Sequence, residues 1–211
     1  MCENLLTICN NYKNKFFGDI QIDVDYWITI IHAKLGKEEN NYHTDKYYLH
    51  SYIPIYDKLF LNFKEKSCNL LEIGVQNGGS IALFRKYFMN ATIHAIDIES
   101  IPAWVSRLEN VETYQEDAYS EKGLQLFKPF MFDIIIDDGP HTLESMIYIV
   151  QYYLYKLNKN GIMIIEDIPD ISWINIIIEK IPSDINCKYE TFDVRLEKNR
   201  YDDILLVIYI K

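Results

Sequence analysis

The chain has 211 residues, 49% of them hydrophobic, enough for one well-buried α/β core with an N-terminal extension but short for two full domains. Its 31 acidic against 21 basic residues leave a formal net charge of −10, which opposes the phosphate neutralisation that nucleic-acid binding requires and favours a neutral, cationic or metal-bridged small molecule. No apolar run approaches the roughly 18 residues of a membrane span, the start lacks the basic and apolar regions of a signal peptide, and the four cysteines show neither C-x-x-C nor zinc spacing, so a cytoplasmic chain with reduced thiols and no membrane partner is expected.

Residues 1–35 read as one or two short helices, followed by the polar stretch Gly36-Lys37-Glu38-Glu39-Asn40-Asn41 and a further helical segment from Tyr42 to Phe63. Residues 1–65 are therefore expected to form a helical extension or lid, and residues 66–211 the main domain. From Asn69 onward short β-rich apolar runs alternate with segments of helical period, the signature of a parallel sheet covered on both faces. The expected strands are 70–75, 92–97, 111–115, 132–137, 161–166, 188–194 and 204–210, with helices near 79–88, 101–108, 120–127 and 142–156. The last two strands are separated by a polar turn at 197–203 rather than by a long helix, so they read as an antiparallel hairpin. Five parallel βα units closed by such a hairpin make a Rossmann-like class I methyltransferase fold, a seven-stranded mostly parallel sheet; a dehydrogenase-type domain would continue with parallel units.

In open α/β sheets ligands bind beyond the carboxyl ends of the strands, and chemistry-bearing residues collect there. The first strand runs into Leu71-Glu72-Ile73-Gly74-Val75-Gln76-Asn77-Gly78-Gly79-Ser80, whose glycines let the backbone turn and approach a ligand, although the spacing is not G-x-G-x-x-G. Asp97, roughly twenty residues after Gly74, ends the second strand where a carboxylate can accept two ribose hydroxyls of NAD or S-adenosylmethionine (SAM); a solvated helix cap is the plainer alternative. Glu72 near the end of a buried strand needs a cationic or hydrogen-bonding partner, such as the amino group of SAM. Asp117 is either an adenine-amino acceptor or a helix N-cap.

The fourth strand empties into Asp137-Asp138-Gly139-Pro140-His141 and the fifth into Glu166-Asp167. Carboxylates gathered at neighbouring strand ends repel unless a cation shares them, and hard ions such as Mg²⁺ take oxygen ligands. Asp138, Glu166 and Asp167 would form one face of an octahedron, and His141 would be a general base. The alternative is a pair of capping aspartates and a solvated loop. His43 and His50 read as surface or packing residues, and Tyr47, Tyr48, Tyr52 and Tyr56 as a structural aromatic face, with Tyr52 a candidate for ligand contact.

Thr44-Asp45-Lys46 with His50 and Tyr52, Leu71-Glu72-Ile73-Gly74, Ile96-Asp97-Ile98, Ile136-Asp137-Asp138-Gly139-x-His141 and Ile165-Glu166-Asp167 together resemble the metal-dependent SAM O-methyltransferases of macrolide sugars and the related cephalosporin-hydroxylase-like group, over about residues 42–170. The resemblance implies Asp138, Glu166 and Asp167 as ligands of Mg²⁺ or another divalent cation, with His141 and Asp138 catalytic. It also implies a SAM pocket lined by Glu72, Gly74, Gly78, Ser80, Asp97, Asp117 and Asp137, with Thr44, Asp45 and Lys46 lying over the cofactor. Pro140 stands where the family commonly has Ser, and the macrolide enzymes carry additional segments. The implied activity is methylation of a sugar hydroxyl on a glycan, glycoside or nucleotide-sugar, with homo-oligomerisation left open. Competing readings are a catechol-like O-methyltransferase, an NAD-dependent nucleotide-sugar oxidoreductase and a non-catalytic partner subunit.

Overall fold

The computed structural model describes residues 3–9 and 44–211. The polar stretch at 36–41, His43, the side chain of Tyr48 and all of the expected N-terminal helices except residues 5–9 lie outside the described residues. In chain order follow α1 (Asp45–Tyr48), α2 (Ile53–Phe60), β1 (Cys68–Ile73), α3 (Gly79–Tyr87), β2 (Ala91–Asp97), β3 (Val111–Gln115), α4 (Glu121–Leu126) and β4 (Phe132–Asp137). The chain continues through α5 (Leu143–Tyr152), β5 (Leu157–Ile165), α6 (Trp173–Glu179), β6 (Cys187–Asp193), α7 (Arg195–Lys198) and β7 (Ile204–Ile210).

The seven strands form one sheet in the order β3-β2-β1-β4-β5-β7-β6. β1 to β5 are parallel, and β7 runs antiparallel to both β5 and β6. This is the expected seven-stranded, Rossmann-like sheet with its terminal hairpin. β1 and β4 lie side by side at the point where strand order reverses, which opens a crevice beyond their carboxyl ends.

The strands are apolar on both faces because helices cover both. Leu70, Ile134, Ile136, Ile162, Ile164, Leu205 and Val207 join α2 and α3 in one core layer. Their chain neighbours Leu71, Ile135, Met163, Ile165, Leu206 and Ile208 join α5 and α6 in the other. Residues 5–9 and α2 belong to the first layer: Leu5, Ile8, Tyr52, Ile53, Tyr56 and Phe60 are buried against it, and Leu5 N donates to Asp57 Oδ1 at 3.0 Å.

The structure departs from the sequence expectation in several places: the helical segment expected over 42–63 is broken into α1 and α2, and the short helix α7 stands at the turn before β7. The helix expected at 101–108 is a single 3₁₀ turn, Val105–Arg107, since burial of Trp104 and Val105 beside Gly78 already anchors the segment. The helix expected to run to 156 ends at Tyr152, and a 3₁₀ turn, Leu154–Lys156, carries the chain straight into β5. β5 starts at Leu157 rather than 161, with a register shift opposite Phe132 to Ile134 and Asn160 at φ +64°. α6 between β5 and β6 was not anticipated; it packs Ile174 and Ile177 into the second layer.

His94 on β2 sits among Tyr114, Phe127, Phe130 and Phe132 and is 1% exposed. Burial lowers its pKa from the ordinary 6.5, only partly offset by Glu112 3.5 Å away. The unfolded chain therefore takes up the proton first, so His94 contributes stability above about pH 6.5 that is lost on acidification below it. His94→Phe should flatten the loss of melting temperature between pH 7 and 5.5; parallel melting curves for the two proteins would contradict this sign.

Candidate active site

Strand order decides which loops meet. Gly74 follows β1 at φ +88°, and a Cβ there would stand 1.9 Å from the carbonyl oxygen of Asp138. Only glycine lets the β1 loop pass so close to the β4 loop. Gly78 is also left-handed, at φ +82°, and a Cβ on it would meet Val105 Cγ2 at 2.3 Å. Of the non-glycine residues in the left-handed region, three stand at this end of the sheet: Gln76 at φ +47°, His141 at φ +53° and Asp167 at φ +51°. Such strain, of order 1–3 kcal/mol each, persists where surrounding structure imposes it, commonly at functional sites.

A cleft of about 590 Å³ opens beyond the ends of β1, β2, β3 and β4, a size suited to a small molecule. Of the sequence-predicted residues, Thr44, Asp45, Gly74, Ser80, Asp97, Asp117, Asp138 and His141 line it. Lys46, Glu72, Gly78, Asp137, Glu166 and Asp167 are not among its lining residues. Gln76, Asn77, Glu99 and Tyr119 line it too and were not singled out from sequence.

Asp97 organises the cleft floor. Its Oδ2 accepts from Val75 N at 2.7 Å and Gln76 N at 2.9 Å, and Oδ1 accepts from Glu99 N at 2.8 Å. The carboxylate thereby holds the turn after β1 in place while remaining on the cleft surface. Asp117 is not a helix cap: Ser120 caps α4 by accepting from Gly123 N, while Asp117 Oδ1 accepts from Tyr119 N at 2.8 Å.

Behind one end of the cleft lies a buried charged cluster. Lys46, 1% exposed, donates from Nζ to Asp138 Oδ2, lies 3.0 Å from both oxygens of Glu166, and is 3.6 Å from Glu72 Oε1. Burial by itself would lower its pKa, but Asp138, Glu166, Glu72 and Asp45 together raise it well above the usual ammonium value, so it is charged. Glu72, fully buried, has no hydrogen bond of good geometry to either oxygen, and burial pushes its pKa up to about 7 against the pull of Lys46 and of the nearby Ser80 hydroxyl. The partner that its burial demanded is thus a side chain of this chain, Lys46.

Each remaining carboxylate also has a dedicated donor. Tyr56 donates to Glu166 Oε1, Tyr52 donates to Asp167 Oδ1 at 2.5 Å, and Tyr119 donates to Asp137 Oδ1. Burial first, and then the facing carboxylates, push all three phenols well up, so they remain protonated donors. Asp137 is pushed up to about 7 by burial, opposed by the Tyr119 hydrogen bond. His50 Nδ1 is hydrogen-bonded to Asp203 Oδ1 and lies 3.2 Å from Asp167 Oδ1. The reading of His50 and the tyrosines 52 and 56 as packing residues is therefore corrected: they do fill the core, but their polar atoms complete the site. Their spacing alone carried no such signal, because the carboxylates they meet lie more than 100 residues away.

Asp138, His141 and Asp167 bring ligand atoms within 4.8 Å of one another; His141 Nε2 stands 3.7 Å from Asp138 Oδ1 and 3.8 Å from Asp167 Oδ2. Glu166 reaches this group through Lys46, which it shares with Asp138. Burial raises the pKa of Asp138, Glu166 and Asp167 despite Lys46. Burial also lowers that of His141, leaving its imidazole neutral at pH 7.

No family model matches the chain. It is 27% identical over 139 residues, 62% of its length, to the 8-demethyl-8-alpha-L-rhamnosyl tetracenomycin-C 2'-O-methyltransferase of Streptomyces olivaceus. It is 27% identical over 149 residues, 66% of its length, to the mycinamicin VI 2''-O-methyltransferase of Micromonospora griseorubida. The matches span only 36% and 37% of those two proteins. Among solved structures, MycE methyltransferase from the mycinamycin biosynthetic pathway, in complex with Mg, SAH and mycinamycin VI, superposes with a TM-score of 0.56 at 26% identity, covering 66% of this chain and 38% of that one.

The fold is that of a class I methyltransferase. Among the described residues no helix is long and apolar enough to cross a membrane. The close passage of Gly74 beneath Asp138 ties the loop after β1 to the carboxylate cluster. Gly74→Ala should lower the melting temperature by several degrees, from about 1–3 kcal/mol of clash and strain; an unchanged melting curve would show that the two loops separate freely.

Proposed function

We propose that this chain carries the catalytic unit of a SAM- and divalent-metal-dependent O-methyltransferase acting on a sugar hydroxyl of a glycan, glycoside or nucleotide-sugar. The observation that carries the reading is the continuity of the cleft with the carboxylate cluster: Asp138 and His141 line the same cleft as Gly74, Asp97 and Asp117. The relatives named above are sugar O-methyltransferases, which supports that acceptor class over a catechol.

The donor set fits a hard dication. Carboxylate oxygens of the half-buried Asp138 and the buried Asp167 lie within 4.8 Å of each other and of a His141 ring nitrogen, Glu166 stands outside that group but shares the Lys46 ammonium with Asp138, and the carboxylate oxygens suit Mg²⁺. A divalent ion held by Asp138, Glu166 and Asp167 would supply the charge that makes an acceptor hydroxyl acidic, and SAM would supply the methyl group as a sulfonium.

The chain's own residues do the rest. Asp97, by clamping Val75 and Gln76, shapes the turn on which the cofactor would lie, and its remaining lone-pair capacity would meet a ribose hydroxyl. Asp117, Glu99 and Tyr119 also line the cleft, where they would help hold the nucleoside. His141, neutral and a third exposed, would take the acceptor hydroxyl's proton on Nε2 as oxygen forms its bond to the methyl carbon and the carbon–sulfur bond breaks. Thr44 and Asp45 would close over the cofactor from the other side. Rate enhancement would come from alignment of the two reactants and from charge already in place.

His141→Ala should cut turnover by about 10²–10⁴-fold while S-adenosylhomocysteine binding, followed calorimetrically, stays within a few-fold; unchanged turnover at pH 7 would remove it as base. Asp138→Asn should abolish Mg²⁺-dependent methyl transfer to a panel of glycosides, and retained metal-dependent transfer would remove it as a ligand.

A further inference from the structure

Asp138 and Glu166 already hold a cation. The Lys46 ammonium contacts both, and its side chain is 1% exposed, so it serves no solvent-facing purpose. These are also two of the three carboxylates read above as metal ligands. A divalent ion bound between them would need the lone pairs that the ammonium now occupies and would repel it at close range.

An alternative berth is present. Glu72 lies 3.6 Å from Lys46 Nζ, is fully buried, and neither carboxylate oxygen has a hydrogen bond of good geometry, the Ser80 hydroxyl being the one neutral donor near it. Buried polar atoms are rarely left so, and an unsatisfied carboxylate is among the most costly. A shift of roughly an ångström, the difference between 3.6 Å and an ordinary charge-assisted hydrogen bond, would turn this near approach into a direct bond.

We propose that Lys46 is a two-position counter-cation: it bonds Asp138 and Glu166 while the metal is absent, and is displaced onto Glu72 when a divalent ion binds. The inference rests on the ligand reading of the preceding section. It accounts for three otherwise separate facts, namely a lysine buried inside the cluster, a glutamate beside it whose oxygens lack a well-formed hydrogen bond, and the absence of both from the cleft wall. The lysine keeps the buried carboxylates neutralised in the empty protein, and Glu72 keeps the lysine neutralised in the loaded one. Because Thr44 and Asp45 line the cleft immediately before Lys46, the shift occurs next to the cofactor-side surface.

The test uses the full chain and MgCl₂, without substrate. By titration calorimetry Lys46→Met, which removes the competitor, should bind Mg²⁺ about tenfold or more tightly than the unaltered protein. Glu72→Gln, which weakens the second berth, should bind it several-fold more weakly. In EDTA Lys46→Met should melt below the unaltered protein, and saturating Mg²⁺ should recover the deficit. With ¹³Cε-labelled lysine, the Lys46 resonance of the unaltered protein, identified by its loss in Lys46→Arg, should shift over the same Mg²⁺ range as the heat of binding. A Lys46→Met protein that folds and binds Mg²⁺ no more tightly, or a Lys46 resonance that stays fixed through saturation, overturns the displacement. Asp138→Asn separates the two layers of argument. Wild-type Mg²⁺ affinity in that variant sinks the ligand reading itself, whereas lost affinity there combined with no gain in Lys46→Met sinks only the role of Lys46.

Discussion

Burying negative charge is the constraint around which this molecule is arranged. Glu72, Asp137, Glu166, Asp167 and Asp203 are all buried, and Asp138 nearly so, at the carboxyl ends of β1, β4 and β5 and the start of β7. Taking one ion out of water costs several kcal/mol even after relaxation, unless paired charge and hydrogen bonds offset it. The offset here is nearly one donor per acid: Tyr119 for Asp137, Tyr56 for Glu166, Tyr52 for Asp167 and His50 for Asp203, with Lys46 among Asp138, Glu166 and Glu72. A phenol is well suited to the purpose, since it brings apolar bulk to the core and a single hydroxyl to the site. The stacked and tilted rings of His50, Tyr52, Tyr56, Phe60 and Phe84 show the same side chains continuing into the hydrophobic layer.

Sheet topology explains why the acids collect. Parallel strands all deliver their carboxyl ends to one edge, and the order β1-β4-β5 makes three acidic termini neighbours. The antiparallel turn into β7 adds Asp202 and Asp203 to that edge, where Arg200 partners Asp202 at 3.3 Å. The segment carrying Lys46, His50, Tyr52 and Tyr56 is fastened across the same edge. Lys198 of α7 donates to the carbonyl oxygens of Tyr47 and His50, so the terminal hairpin clasps the segment that brings the cation and the phenols.

The cleft and the cluster are mechanically joined. Gly74 passes beneath the Asp138 carbonyl, and Asp138 N donates to Ile73 O at 2.9 Å. His141 and Asp167 sit in left-handed backbone on either side of that junction. Displacement of either loop therefore moves groups on both sides, and Asp138 belongs both to the cleft lining and to the charged cluster.

Short-range patterns determined much of this. The continuous apolar runs at 132–137 and 204–210, and the alternation of strands with helical period, are local properties that specify strands buried on both faces, and those strands form where expected. The acids immediately after β4 and β5 were visible as candidates for the same reason, since a strand end is a position in sequence. What sequence left undecided is pairing at a distance. Nothing local distinguishes Tyr52 or Tyr56 from a packing tyrosine, or Lys46 from a residue lying over a cofactor. Their partners are set by strand order and by where one segment docks across the sheet edge. Glu72 called for a cationic or hydrogen-bonding partner from its burial alone; only the tertiary structure could say that Lys46 stands beside it, because desolvation is a local demand and its satisfaction is a three-dimensional one.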